Sequence, residues 1–231
     1  MTSLFRLALP AGGERILEPA SDPEASGRLL TEADRWGVWP AVAWNLGLAD
    51  SPRLRSVAAR NLYLQREQER LLARLAEAGV KAHAVKGTDL TARLYPDLSW
   101  REVEDIDLLV EPPAVSQAMA VLCAAGLRPN HTWHPAGLER QFSHSRLLSP
   151  EVTFTAPSGL LVELHWDWPG AALPTGHLLD QPEHYLVYLC AHAGKHFWRM
   201  LKWTCDLHLL VERWGDSLDW ARFWRLAEAE E

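Results

Sequence analysis

Two aspartates one residue apart, in the run Glu104-Asp105-Ile106-Asp107-Leu108-Leu109-Val110, are the carboxylates of this chain best placed for metal chemistry. In a strand, successive side chains alternate between faces, so Asp105 and Asp107 share one side while Ile106, Leu108 and Val110 point to the other. The apolar side can pack; the acidic side cannot. Two carboxylates one pleat apart, roughly 7 Å between Cα atoms, can lean together around two cations about 4 Å apart, which is the geometry of phosphoryl-type transfer. The run Leu160 to Trp166 offers a third acid by the same alternation. With Leu160, Val162, Leu164 and Trp166 facing helices, Leu161, Glu163 and His165 turn toward the side of the aspartates if the strands pair. Magnesium favours oxygen ligands and keeps waters or substrate phosphates in its shell, so three acids plus a triphosphate make a chemically complete site. Glu163 is then the natural candidate for general base.

Lys86-Gly87-Thr88 precedes the aspartates by about one helix and a loop and suits the phosphate end of such a site. Glycine lets the backbone approach an anion closely, a helix N-terminus supplies unpaired N–H groups, and Thr88 adds a hydroxyl donor. Lys86 adds a point charge there, or else stands as a structural surface lysine. His192, Lys195, Arg199, Lys202 and Asp206 are spaced by three, four, three and four, and form one polar stripe if their helix is continuous. Two readings of the stripe stay open: a solvated face with Lys202 and Asp206 as an ordinary pair, or cations laid over a triphosphate or an acceptor. Arg101, in the loop before the acids, has the same standing. His192 and His196 do not make a zinc site, because a third ligand and the glutamate of a His-Glu-x-x-His motif are both missing. His165 reads as a packing residue or as a hydrogen-bond partner of a metal-bound Glu163.

The chain has 231 residues, 48% of them hydrophobic, enough for a sizeable core in one domain with appendages or in two small ones. A net charge of −7 argues against a partner held mainly through a phosphate backbone, while leaving room for a local basic groove. Cys123, Cys190 and Cys205 lie in apolar helical patterns without C-x-x-C spacing, as reduced thiols of a cytoplasmic protein do, and their number excludes cysteine zinc clusters. No segment reaches about 18 apolar residues and the N-terminus lacks a basic lead, so neither secretion nor a membrane span is expected. The chain ends on Glu228-Ala-Glu-Glu231 without a stop signal, which suits a fragment of a longer protein. Its 12 tryptophans cluster at 36–44, at 166–168 and from 198 onward, most simply as helix-packing residues, with base stacking by one of the later ones left open.

The elements that must position these groups follow from periodicity. Residues 28–48 read as two short helices, interrupted at Gly37 and Pro40. Pro52 to Ala78 reads as a longer helix closed by Gly79, and Val80 to Val85 as a strand. A helix from the Lys86-Gly87-Thr88 turn runs to about Leu94, and a loop carries the chain into the strand of the aspartates. Pro112 to Ala125 reads as a helix, and Leu127 to Trp133, Phe142 to Leu148, Val152 to Ala156 and Leu160 to Trp166 as strands, the last two joined at Pro157-Ser158-Gly159. From Pro182 onward the pattern is helical.

The stretch from Leu75 to Leu90, then Leu94-Tyr95-Pro96-Asp97, Arg101, Asp105 to Val110 and Val162-Glu-Leu-His-Trp166 together resemble the uncharacterised bacterial nucleotidyltransferase family of the DNA polymerase β superfamily. The likeness extends to Leu29–Leu46 with Trp36-Gly-Val-Trp-Pro40, and to Trp203 with Asp206-Leu207, and so covers roughly residues 28–214. It implies an α+β fold: a polymerase β-like core (a small mixed sheet with flanking helices) at 79–170, a helical lead at 1–78 and a C-terminal helical bundle at 171–231. It also implies transfer of a nucleoside monophosphate from an NTP, such as ATP, to a hydroxyl acceptor with release of pyrophosphate. Position by position, Gly87-Thr88 takes the place of the superfamily's Gly-Ser pair, Asp105 and Asp107 that of the metal-bridging acids, and Glu163 that of the third acid. The implied cofactor is Mg2+, as two ions, with Mn2+ as a substitute, and Lys86, Arg101, Lys195, Arg199 and Lys202 are the cations available to the nucleotide. Glu102 and Glu104 depart from the pattern by adding acids before Asp105. The acceptor is a protein, a small molecule or RNA. The alternatives are a catalytically degenerate nucleotide- or protein-binding module and a toxin-like enzyme that modifies tRNA.

Overall fold

The computed structural model of the chain describes residues 2–10, 23–130, 151–166, 173 and 176–229. Its helical lead comprises α1 (Thr2–Leu7), α2 (Pro23–Arg35) and α3 (Trp39–Asn45). The expected break between two short helices falls at Gly37, whose φ of +69° is a left-handed conformation that glycine adopts without steric cost. Pro40 sits in the first turn of α3, where its missing N–H is not needed. Ser51 caps α4 (Pro52–Glu77) by accepting from the N–H of Arg53, and Leu54, Val57, Leu64, Leu71 and Leu75 make its buried stripe.

β1 (Ala82–Val85), α5 (Gly87–Leu94), β2 (Asp105–Val110), α6 (Val115–Ala124), β3 (Arg128–Pro129), β4 (Glu151–Thr155) and β5 (Leu161–His165) build the centre, and α7 (Pro182–Lys195), α8 (Leu201–Trp214) and α9 (Trp220–Ala229) follow. The strands form a mixed sheet of order β1-β2-β5-β4-β3, in which β2 and β5 run parallel and the other neighbours antiparallel. A mixed sheet with flanking helices is the α+β architecture expected of this sequence. β3 is only two residues long, and both its expected extension to Trp133 and the strand expected at Phe142–Leu148 lie outside the described residues.

On one face of the sheet, Ile106, Leu108, Val110, Phe154, Val162 and Leu164 pack with Leu71 and Leu75 of α4 and Leu122 of α6. On the other, Val85 and Leu109 join Tyr185, Leu186 and Leu189 of α7 and Leu210 of α8. The acidic face is therefore covered, against the expectation that it could not pack: Asp107 is 3% exposed. The apolar members of that face draw helices over it, and a neighbouring cation offsets the buried charge. The C-terminal part is helical but not continuous. After α7 the chain passes through Phe197 and Trp198 at φ +56° and +53° and restarts at Leu201, so the polar stripe is divided between two helices. The N–H groups of Leu201 and Lys202 both donate to the Trp36 carbonyl, which seats the start of α8 on the helical lead. Among the described residues, no helix is long and apolar enough to cross a membrane.

Candidate active site

Parallel pairing of β2 with β5 sets Asp107 opposite Glu163 and Leu109 opposite His165. Asp107, Glu163 and His165 accordingly offer potential ligand atoms that all lie within 4.8 Å of one another. His165 Nε2 is 2.9 Å from Asp107 Oδ1 and 3.5 Å from Glu163 Oε2, and Lys86 Nζ reaches the same Asp107 Oδ1 at 2.7 Å. Both contacts on Asp107 fall on Oδ1, whereas Oδ2 is the oxygen that a Cβ on Gly87 would approach, at 4.0 Å. Burial alone would raise the Asp107 carboxyl, but the Lys86 charge and the hydrogen bond from His165 hold it well below the usual carboxylate range. Asp105, one pleat away, lies outside the 4.8 Å group. Burial and the charges of Asp107 and Glu163 push its carboxyl up to about 6. This donor set fits a divalent cation: two carboxylates and an imidazole converge, a third carboxylate stands beside them, and a cation would relieve the repulsion that raises Asp105.

β1 ends in the turn Lys86-Gly87, whose residues both have positive φ, +55° and +49°. Glycine adopts this freely; for lysine such a conformation costs on the order of 1–3 kcal/mol and persists only where the surroundings impose it. Lys86 is 6% exposed, its N–H donates to Tyr185 Oη at 3.0 Å, and its Nζ lies 3.3 Å from His192 Nδ1. It is a buried lysine rather than a surface one. Burial would depress its ammonium, but Asp107 reverses the sign and raises it. The first-turn N–H groups of α5 have no intrahelical acceptors, as at any helix start, and the Lys86 side chain does not cap them. A Cβ at Gly87 would meet the Val103 side chain at 3.4 Å and the Asp105 carbonyl at 3.6 Å, so glycine keeps open the space between turn and acids. The Thr88 hydroxyl is turned away from that space: it is buried and donates to Gln68 Oε1 on α4 at 3.2 Å.

Lys86, Gly87, Asp105, Asp107 and Glu163 line a cleft of about 190 Å³ whose other lining residues include His192, His196, Lys202 and Trp203. Glu102 and Glu104 also line it, with Glu102 drawn to Arg53 at 3.1 Å. Among the cations Lys202 reaches the cleft; burial and the nearby Arg101 lower its ammonium. Its stem runs past Gly37, where a Cβ would come within 3.2 Å of Lys202 Cδ. Arg101 lines the cleft as well, but its Nε and Nη2 donate to the two oxygens of Asp206 at 2.9 Å each, and Tyr95 Oη donates to the same carboxylate at 2.8 Å. Asp206 thus pairs with Arg101 and not with Lys202. Lys195 pairs with Glu151 at 2.8 Å, and Arg199 lines a separate groove of about 880 Å³ with Arg28 and Arg35 of α2. The fold brings Lys86, Gly87, Asp105, Asp107, Glu163 and Lys202 to one cleft and leaves Lys195 and Arg199 outside its lining. The sequence places His165 on the face of Glu163, a signal that could also have marked it as a metal donor, whereas Tyr185 carries little signal because its partner lies 99 positions away.

No curated protein matches the chain. The model of a family described as uncharacterised nucleotidyltransferase matches residues 29–171 and 174–230, a span that takes in the acids of β2 and β5, the Lys86-Gly87 turn and the C-terminal helices, and the chain belongs to that family.

Proposed function

We propose that the chain is a magnesium-dependent nucleotidyltransferase that moves a nucleoside monophosphate from an NTP, ATP among them, to a hydroxyl acceptor and releases pyrophosphate. The observation that carries this reading is the position of Asp107 in the sheet: the β2–β5 register sets it opposite Glu163, and the β1–β2 register sets it opposite Val85, so that the lysine of the Lys86-Gly87 turn contacts it. Asp105, Asp107 and Glu163 would hold the metal, with His165 orienting Asp107 or adding a nitrogen donor. Bound there, magnesium, as two ions or with manganese in its place, supplies positive charge to the acceptor oxygen and to the leaving pyrophosphate. The Gly87-Thr88 backbone at the start of α5 receives the triphosphate, Lys86 adds a fixed charge beside it and Lys202 faces it from α8. Glu163 takes the proton of the acceptor hydroxyl, the freed oxygen bonds to the α-phosphorus, and the bond from that phosphorus to the bridging oxygen breaks as pyrophosphate departs. Arg101 supports the cleft by holding Asp206, and Lys195 and Arg199 would reach the nucleotide only through a rearrangement of the α7–α8 turn. Residues 79–170 would form the catalytic core between helical regions at 1–78 and 171–231. The setting is cytoplasmic, and the acceptor is a protein, a small molecule or an RNA.

The test is incubation with Mg2+ and each α-labelled NTP in a cell lysate, followed by asking whether label lands on protein, RNA or a small molecule. Label transferred by the wild-type chain and not by Asp105→Asn is the expected result. A second reading, nucleotide binding without turnover, has one observation in its favour: Glu102 and Glu104 line the cleft beside Asp105, Asp107 and Glu163. Calorimetric binding of Mg2+·NTP with no label transfer to any acceptor would favour that reading.

A further inference from the structure

Helix α7 touches Lys86 at both ends. Tyr185 and His192 lie seven positions apart, two helical turns, and so share one face of α7 with about 10.5 Å between them along the axis. Tyr185 Oη accepts the Lys86 N–H at 3.0 Å, and His192 Nδ1 lies 3.3 Å from Lys86 Nζ. An ammonium can only donate, so Nδ1 is the acceptor and the neutral ring carries its hydrogen on Nε2. Burial and the adjacent Lys86 ammonium hold this ring to about 2, which keeps it neutral. Its plane is fixed by aromatic neighbours, Trp203 edge-on at 5.5 Å and His196 at 4.8 Å. In the cleft lining Lys86 is also the residue that holds a left-handed backbone without being glycine. A conformation of that kind needs an external restraint, and the Tyr185 hydroxyl bonds to the backbone of this very residue.

We propose that Tyr185 and His192 are positioning residues for the nucleotidyl transfer: together they clamp the backbone and the ammonium of Lys86, so that its charge stays fixed on Asp107 beside the space where a phosphate oxygen of the NTP would enter. The consequence for catalysis rests on the proposed function; the clamp itself rests on the contacts. A lysine head on a four-carbon stem has many rotamers, and its electrostatic effect depends on removing them before the substrate arrives. One helix of the C-terminal wall thus sets the geometry of a group on the sheet.

The clamp is tested first without nucleotide or metal. In the full chain labelled with 15N-histidine, long-range 1H–15N correlation at pH 7, with His192 assigned by its loss in His192→Asn, is expected to show a neutral ring protonated on Nε2. A ring protonated on Nδ1, or an imidazolium, overturns the clamp whether or not the chain transfers nucleotide. Once the acceptor class is known from label transfer, His192→Phe, which keeps a ring but no acceptor, is expected to lower kcat about 10–100-fold, with KM for Mg2+·ATP changed by less than about threefold. His192→Asn, whose amide oxygen can replace Nδ1, should recover at least about tenfold of that loss, and Tyr185→Phe should fall in the same direction as His192→Phe. Equal losses in the Phe and Asn variants indicate a packing role and overturn the proposal. If His192→Phe does not fold, the wild-type tautomer decides. A wild-type chain that transfers no label removes the proposed function alone and leaves the tautomer to decide the clamp.

Discussion

Asp105 and Asp107 share a residue type, a strand and a face, yet their electrostatics are opposite. Asp107 gains Lys86 and His165 on one oxygen, whereas Asp105 is half-buried between two further carboxylates. The Asp105 carboxyl stands at about 6 in the folded chain against an ordinary 3.8, so without metal the folded state binds this proton more tightly than the unfolded state does. Stability from this residue therefore falls as pH rises from the ordinary value through the folded one, and stays lost at neutral pH. Asp107 has the reverse sign: its contribution is present above the ordinary carboxylate range and is lost as pH falls through and below it. Asp105→Asn should accordingly raise metal-free stability at pH 7.5 by about 1–3 kcal/mol while abolishing label transfer. Urea unfolding in EDTA measures the gain, which should vanish toward pH 4. Asp107→Asn should lose transfer too, but lower stability by about 3 kcal/mol, because the buried Lys86 ammonium loses its charge partner. Full transfer by a folded Asp107→Asn protein would sink the mechanism. Mg2+ should raise the melting temperature of the wild type and not of Asp105→Asn, since only a cation bound by the folded state stabilises it.

Between helices, glycine decides one break and not the other. At Gly37 the left-handed backbone is free of strain, and a Cβ would stand 2.7 Å from Met200 Cε and 3.2 Å from Lys202 Cδ. Gly37→Ala should therefore lower stability by about 1–2 kcal/mol and, by shifting Lys202, weaken Mg2+·ATP binding in calorimetry. At the α7–α8 turn, Phe197 adopts φ +56° while 83% exposed. Phe197→Gly should relieve more strain than it removes packing, raising stability by about 0.5–1 kcal/mol, which a thermal melt resolves as a few degrees. The contrast shows what was legible. The break at Gly37, the alternation that sorts Asp105, Asp107 and Glu163 onto one face, and the glycine before α5 are local, and periodicity with turn chemistry reads them. The break at 196–200 itself holds neither glycine nor proline, Gly194 lying just inside the end of α7, and the start of α8 is set by the distant Trp36 carbonyl, which accepts from the N–H groups of Leu201 and Lys202. The same holds for Arg101, whose partner Asp206 lies 105 positions on and displaces the local Lys202–Asp206 pair that helical spacing offers. Covering of the acidic face likewise followed from Val85 and Leu109 meeting α7 and α8, a tertiary contact that no spacing within β2 encodes.

Across the whole molecule, the cleft has one wall from the sheet and its preceding loop and another from α7 and α8, and buried polar bonds join them. Lys86 meets Tyr185 and His192 of α7, while Arg101 and Tyr95 meet Asp206 of α8. Cys205, next to Asp206, packs with Leu4, Val38 and Val42 of the helical lead, so α8 is gripped from both sides. A cleft held this way is preorganised, so the proposed transfer would need little rearrangement of its electrostatics as charge develops. The cost is a fully buried ion pair: the Arg101 and Asp206 side chains are only 8% and 3% exposed. Removing one partner leaves the other charged and dry, so Arg101→Met should destabilise by about 3–5 kcal/mol, whereas a double change to apolar residues of similar volume, Arg101→Met with Asp206→Leu, should recover most of that loss. The double variant also separates two roles for Arg101. Because Asp206 occupies two of its nitrogens, the expected role is to weld loop to helix, and the double variant should bind Mg2+·ATP within about threefold of wild type once stability is restored. Restored stability with lost nucleotide affinity would instead mean that the guanidinium touches the triphosphate through the nitrogens that Asp206 leaves, and that the weld and the nucleotide share one residue.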